Sequence, residues 1–103
     1  MPSANEIIEG LQYQSADEEI PYQIITTPWG SNPSAPSVAA FLVDTGAVVT
    51  TTVFPTNTPT VNGDTITLSP LKSLVKSNTY RIEVLFTCGA TKFECFFKVF
   101  CDH

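Results

Sequence analysis

The sequence predicts an all-β protein, an antiparallel β-sandwich of about seven strands. β-Branched and aromatic residues are abundant, and apolar residues alternate with polar ones in several runs. Eight prolines and five glycines interrupt the chain too often for long helices. The 103 residues suffice for one domain with a modest core, and a charged fraction of 15% excludes a solvated, disordered chain.

The first part of the chain is predicted to differ from the rest. Residues 1–18 are interpreted as an N-terminal arm and residues 19–103 as the sandwich domain. The large apolar residues of the arm are Ile7, Ile8, Leu11 and Tyr13. They fit either a short helical turn or an extended segment that becomes ordered only against a neighbour. The arm lacks a basic region followed by an apolar run, so we predict no signal peptide, no membrane helix and synthesis in the cytoplasm.

Six runs of β-type residues are predicted to be strands. They cover residues 20–27, 37–43, 47–54, 65–68, 79–87 and 92–101. Pro21 cannot donate a ladder hydrogen bond, which favours an edge position for the first strand. The second strand is apolar on both faces, as is typical of a central strand or of one covered on both sides. The third consists mainly of β-branched residues, which favours a strand over a helix.

Turn residues separate these runs. Residues 28–36 contain three prolines and one glycine and are predicted to be a loop. Asp44-Thr45-Gly46 and Asn62-Gly63-Asp64 are turn signals, and the second is the strongest hairpin signal in the chain. Calcium needs six to eight converging oxygens, which neither triplet offers, so both are interpreted as turns rather than metal sites.

The last two strands are predicted to form an antiparallel ribbon with Gly89 and Ala90 in its turn. This register places four apolar pairs on one face, namely Tyr80 with Val99, Ile82 with Phe97, Val84 with Cys95 and Phe86 with Phe93. A shift by one residue would bury Arg81 and Glu83 instead, so the pattern itself determines the register. The opposite face mixes charged with apolar residues, and its members are Arg81, Glu83, Leu85, Glu94, Phe96, Lys98 and Phe100.

The segment Leu74-Val75-Lys76-Ser77-Asn78-Thr79-Tyr80-Arg81-Ile82-Glu83-Val84 resembles the tyrosine corner of fibronectin type III and related immunoglobulin-like sandwiches. The shared pattern is a leucine six residues before a tyrosine. Lys76 and Ser77 stand where proline and glycine are usual. The resemblance implies an Ig-like or fibronectin III-like fold, with the Tyr80 hydroxyl bonded to the loop backbone and Leu74 filling the core beneath the crossing.

In size and architecture, a free-standing Ig-like protein without a signal peptide is also similar to small accessory structural proteins of tailed phages and prophages. That resemblance implies a non-enzymatic, virion-associated structural or protein-interaction module, with a protein partner or self-association as a homo-oligomer. The alternative is a carbohydrate-binding or adhesin-type module of a larger cell-surface system.

No catalytic, cofactor or metal site is predicted. The single histidine, His103, stands at a chain end that holds it poorly beside a nucleophile. Cys88, Cys95 and Cys101 lack the close pairing of zinc ligands and are interpreted as reduced thiols that pack in the core. A disulfide and a metal site remain the alternatives for them.

Trp29, Phe96 and Phe100 are the candidate interaction residues. Trp29 lies in the predicted loop and would be the stacking platform of a carbohydrate-binding module. Phe96 and Phe100 point away from the predicted core, and outward aromatic residues often mark protein interfaces. The alternative is that the arm or a neighbouring loop covers them.

The charge of the chain is unevenly distributed. The net charge is −5, and no lysine or arginine precedes Lys72. Such a surface repels phosphates over most of its length, so we predict no nucleic-acid partner. The asymmetry is compatible with head-to-tail packing of copies and, as the commoner case, with the absence of any partner.

Overall fold

The computed structural model describes residues 5–6, 12–26 and 32–102. In chain order these contain β1 (Asn5–Glu6), β2 (Gln12–Gln14), β3 (Gln23–Ile25), β4 (Ser34–Leu42), α1 (Thr50–Val53), β5 (Thr60–Asn62), β6 (Thr65–Thr67), β7 (Thr79–Cys88) and β8 (Thr91–Cys101). The all-β prediction is therefore confirmed. Helical structure within the described ranges is confined to α1, which is far too short to cross a membrane.

The strands form two sheets around one core. In the larger sheet, β4, β7 and β8 are antiparallel neighbours, and β1 and β2 run parallel to β8 along successive parts of its other edge. The smaller sheet has the order β3-β6-β5 and is antiparallel. A single cluster of buried apolar side chains draws on both sheets, so the arrangement is that of a β-sandwich.

The β7–β8 ribbon has the predicted register. Tyr80 lies opposite Val99, Ile82 opposite Phe97, Val84 opposite Cys95 and Phe86 opposite Phe93. Of these eight, all but the half-buried Phe93 are fully buried. Gly89 stands at the first turn position with φ of 61°, a conformation that costs other residues energy. Local alternation and one glycine thus account for the longest ladder among the described strands.

The loop that precedes β7 shows the contact that the tyrosine-corner resemblance implies. The backbone N–H of Val75 donates to the Tyr80 hydroxyl at 2.8 Å, and the Tyr80 ring is buried. Leu74 is buried in the core beneath this loop. Ser77 takes φ of 74°, the left-handed region that glycine adopts most readily. The loop is also tied to the end of β8, because the Ser77 N–H donates to the Cys101 carbonyl at 2.8 Å.

The predicted strand at 47–54 is wrong over most of its length. Val48 makes one bridge to Phe41, and the chain then turns into the helical segment α1. The consecutive residues Val53 and Phe54 are both buried, whereas neighbouring residues of a strand point to opposite faces. A helical turn delivers both side chains to the core, so packing overrides the strand propensity of this run.

Two further boundaries differ from the prediction, and one predicted hairpin is present. The first strand is shorter, with β3 preceded by a single bridge between Ile20 and Leu71. The second begins earlier, at Ser34, and contains an irregularity before Ser37 that accommodates Pro36 within the strand. The Asn62-Gly63-Asp64 hairpin is confirmed, since it joins β5 to β6.

Part of the predicted arm is docked on the sandwich through Gln14, whose side chain is 1% exposed. Its Nε2 donates to the backbone carbonyls of Leu71 at 2.6 Å and Glu18 at 2.9 Å. Its Oε1 accepts a hydrogen bond from the Tyr22 hydroxyl at 3.1 Å. Because both the nitrogen and the oxygen of this buried amide are hydrogen-bonded, the Gln14 side chain holds β2 against the edge of β8.

Candidate functional site

The larger sheet has a face that is turned away from the core, and two of the three candidate interaction residues lie on it. We refer to it as the outer face. It comprises Tyr13 of β2, Phe41 of β4, Arg81, Glu83 and Leu85 of β7, and Glu94, Phe96, Lys98 and Phe100 of β8. In β7 and β8 these positions alternate with fully buried ones, so period-two geometry directs them outward.

Phe96 is covered by a charged side chain of its own sheet. The guanidinium carbon of Arg81 lies 3.9 Å from the centroid of the Phe96 ring. The Arg81 Nε donates to Glu83 Oε2 at 2.8 Å, which neutralises the cation locally. The result is a flat patch of stacked planar groups whose charges compensate each other.

Phe100 is in contact with the N-terminal segment. Its ring meets that of Tyr13 edge to face, with centroids 6.1 Å apart and an interplanar angle of 86°. Tyr13 itself is 62% exposed. The arm therefore lies against Phe100, as one of the two sequence interpretations predicted, but it moves the aromatic surface outward rather than removing it.

Sequence reasoning did not assign Tyr13, Phe41 and their aliphatic neighbours to the site. Phe41 lies opposite Arg81, and beyond it Val43 and Val48 are exposed at the margin of the sheet. A shallow depression of about 310 Å³ opens here, and its lining includes Phe41, Val43, Arg81 and Lys98. The signal for Phe41 was the apolar character of both faces of its strand, which was interpreted as a central strand or one covered on both sides. The central position is wrong, since β4 lies at the end of the strand order of the larger sheet.

Trp29 lies outside the described residues. The carbohydrate-binding alternative, which depends on Trp29, therefore stays a prediction. His103 also lies outside them.

Within the described ranges, three or more His, Cys, Asp or Glu side chains do not converge on any point that could hold a metal ion. Cys95 and Cys101 are buried in the core, as predicted, and Cys88 is half-buried against it. All three belong to the described part of the chain, and no disulfide joins them. The Cys95 thiol donates to the Val84 carbonyl, with sulfur and oxygen 3.7 Å apart.

Because the Cys95 thiol is buried, we expect the protein to lose stability at high pH. Burial, together with the nearby charge of Glu94, raises the pKa of Cys95 from 9.0 to about 12. Because the unfolded chain ionises this thiol first, its contribution to the free energy of unfolding should be fully present below pH 9 and be lost as the pH rises toward 12. Burial and Glu18 raise the pKa of Tyr22 from 10.0 to about 12, which adds a second loss above pH 10.

Urea unfolding followed by circular dichroism at several pH values tests this expectation. Cys95→Val removes the ionisable group and keeps an apolar side chain, so it should flatten the dependence between pH 9 and pH 10. A slope that the substitution leaves unchanged would show that another group is responsible.

Comparison with known proteins gives no relative, since no family model, no curated protein and no solved structure matches the chain. The function is therefore inferred from the outer face.

Proposed function

We propose that the protein is a non-enzymatic structural or interaction module that binds another protein through its outer face. The proposal rests on one observation: four aromatic side chains lie on the same face of a single sheet. They are Tyr13, Phe41, Phe96 and Phe100. Val48 extends it at the margin and is 70% exposed. Clustered aromatic residues around an arginine are typical of the centres of protein interfaces.

The electrostatics of the face support this proposal. The Arg81–Glu83 pair is already formed in the free protein, so binding does not require two separate charges to be stripped of water and brought together. The pair also stands on the longest ladder of the fold, β7–β8, so little side-chain and backbone freedom is lost on association.

We further propose that the sandwich is of the Ig-like or fibronectin III-like type. Strands β3, β6 and β5 form one sheet and β4, β7 and β8 the other, which corresponds to the B-E-D and C-F-G groupings of immunoglobulin-like domains. The hydrogen bond between Val75 and the Tyr80 hydroxyl is the second support. Such domains commonly present a sheet face or their loops to a partner.

The narrower proposal is that the partner belongs to a phage or prophage particle. It is supported by the resemblance in size and architecture, and proteomic analysis of particles purified from the source organism tests it. Recovery of the chain with the particles is expected, and its absence from them would leave only the general interaction role.

Site-specific photo-crosslinking tests the general proposal. Benzoylphenylalanine in place of Tyr13 or Val48 should give a discrete protein adduct on irradiation of the cells that produce the protein. The matched control is Ile25 on the smaller sheet, which is 64% exposed but lies away from the outer face. Adducts at Ile25 alone, or at none of the three positions, would contradict the proposal.

A further inference from the structure

The charged side chains of the outer face lie in rows that run across the strands. Arg81 and Lys98 are direct ladder neighbours and form a basic row. In the next row Glu83 lies opposite Phe96, and Glu94 follows one row further along β8. Adjacent rows on one face are two residues apart, about 7 Å along the strand. Cations and acids are thus displaced from each other along the strand direction.

These charges balance locally although those of the chain do not. The described side chains of the face contribute two cations and two acids from β7 and β8, whereas the whole chain has a net charge of −5. The excess negative charge therefore lies elsewhere. Two copies repel each other through most of their surface, but their outer faces can approach without net repulsion.

The order of the rows selects one arrangement of two copies. Copies that meet face to face are related by a two-fold axis lying between the sheets. An axis along the strands would keep each row in place and set the basic row of one copy on the basic row of the other. An axis across the strands, placed between the basic row and the Glu83–Phe96 row, exchanges the two. Arg81 then meets the partner's Glu83, and Lys98 lies over the row that holds the partner's Glu83 and Phe96.

The Arg81 guanidinium has further hydrogen-bond donors with which to make this contact. Its Nε is engaged by its own Glu83, and a guanidinium carries four further N–H donors. Each Arg81 can therefore bridge two carboxylates, which gives a closed ring of two arginines and two glutamates at the centre of the contact.

We propose that the protein forms a two-fold symmetric dimer through its outer face, with the strands of the two copies antiparallel across the interface. This inference rests on the proposed function and names the partner as a second copy of the chain.

The area of the outer face sets the strength of the dimer. The face spans four strands about 4.8 Å apart and four rows of side chains about 7 Å apart, which gives a projected area of roughly 500 Å². Stable complexes bury about 800 Å² per partner, so the dimer should be weak, with a Kd on the order of 10–1000 μM.

Charge reversal in two separate proteins tests the arrangement. The R81E variant carries only acids at the centre of its face, and the E83R variant carries only cations there. Each alone should dimerise at least tenfold more weakly than the native protein in sedimentation-velocity experiments up to millimolar concentration. A 1:1 mixture should form a heterodimer, because each acidic face then meets a basic one. A heterodimer in the mixture requires contacts between two different chains, so a change within one chain cannot explain it.

Three outcomes overturn the dimer: a native protein that stays monomeric at millimolar concentration, variants that dimerise normally, or a mixture that stays monomeric. Circular dichroism first establishes that both variants fold. K98E provides an independent variant if either does not, since an acid at position 98 would face the partner's row that contains Glu83 and should also weaken dimerisation at least tenfold. Tyr13 adducts to a different protein, combined with monomeric sedimentation, would refute the dimer and leave the proposed function standing.

Discussion

Replacing Phe97 by alanine is expected to lower the free energy of unfolding by about 3–5 kcal/mol. The Phe97 side chain is fully buried, and its ring centroid lies 5.0 Å from that of Tyr22. Its strand, β8, is hydrogen-bonded on both edges, to β7 on one side and to β1 and β2 on the other. The strand cannot move inward to fill the space, so truncation leaves a cavity in addition to the lost burial.

The neighbouring phenylalanine provides the matched control. Phe96→Ala removes the same number of atoms from the same strand, but its ring is half-exposed and is covered chiefly by Arg81. We expect a loss of at most about 1 kcal/mol in unfolding free energy. Association through the outer face should weaken markedly in this variant alone. Urea denaturation and sedimentation velocity measure the two effects, and equal losses of stability would mean that the two faces of β8 are not distinct.

The ribbon that carries both phenylalanines could be predicted because the determining information is local. Alternation along β7 and β8 and a glycine between them leave one register that buries apolar residues on one side. The same register places Phe96 and Phe100 on the outer face. Two of the three candidate interaction residues therefore follow from the pattern of the last 25 or so residues, a hairpin whose two strands follow each other directly in the chain.

The neighbours of that ribbon could not be predicted in the same way. Tyr13 and Phe41 belong to the face because β2 and β4 lie beside β8 and β7, and such non-local pairing leaves no period in the sequence. The parallel direction of β2 was equally inaccessible. For α1, the run of β-branched residues pointed to a strand, and only the joint burial of Val53 and Phe54 explains the helical turn.

Gln14 is the clearest case of a residue whose role depends on tertiary structure, and its replacement should have the second large effect. It stands in a segment that the sequence marked only as an arm, yet its amide joins three parts of the chain. One is the loop after β6 at Leu71, another the turn at Glu18, and the third the Tyr22 hydroxyl before β3. We expect Gln14→Ala to lower the free energy of unfolding by about 2–4 kcal/mol, from the lost hydrogen bonds and the cavity together.

Two companion variants separate these causes. Gln14→Met keeps most of the side-chain volume and removes the hydrogen bonds. Its free energy of unfolding should therefore lie between those of the native protein and Gln14→Ala. Gln12→Ala, two residues earlier on the same strand and half-buried, should cost less than about 1 kcal/mol. Urea unfolding gives the energies, and comparable losses for Gln12→Ala and Gln14→Ala would remove the special role of Gln14.

Hydrogen exchange shows where the Gln14 substitution acts. If the amide holds β2 in place, its removal should accelerate exchange at residues 99–101, which β2 pairs with, more than at residues 80–84 in the centre of the sheet. Undocking of β2 would bare the edge of β8, and an unpaired edge recruits other strands. We therefore expect Gln14→Ala to aggregate during heating while Gln12→Ala refolds. Uniform acceleration across the whole sheet would instead indicate that Gln14 contributes to global stability without securing the edge.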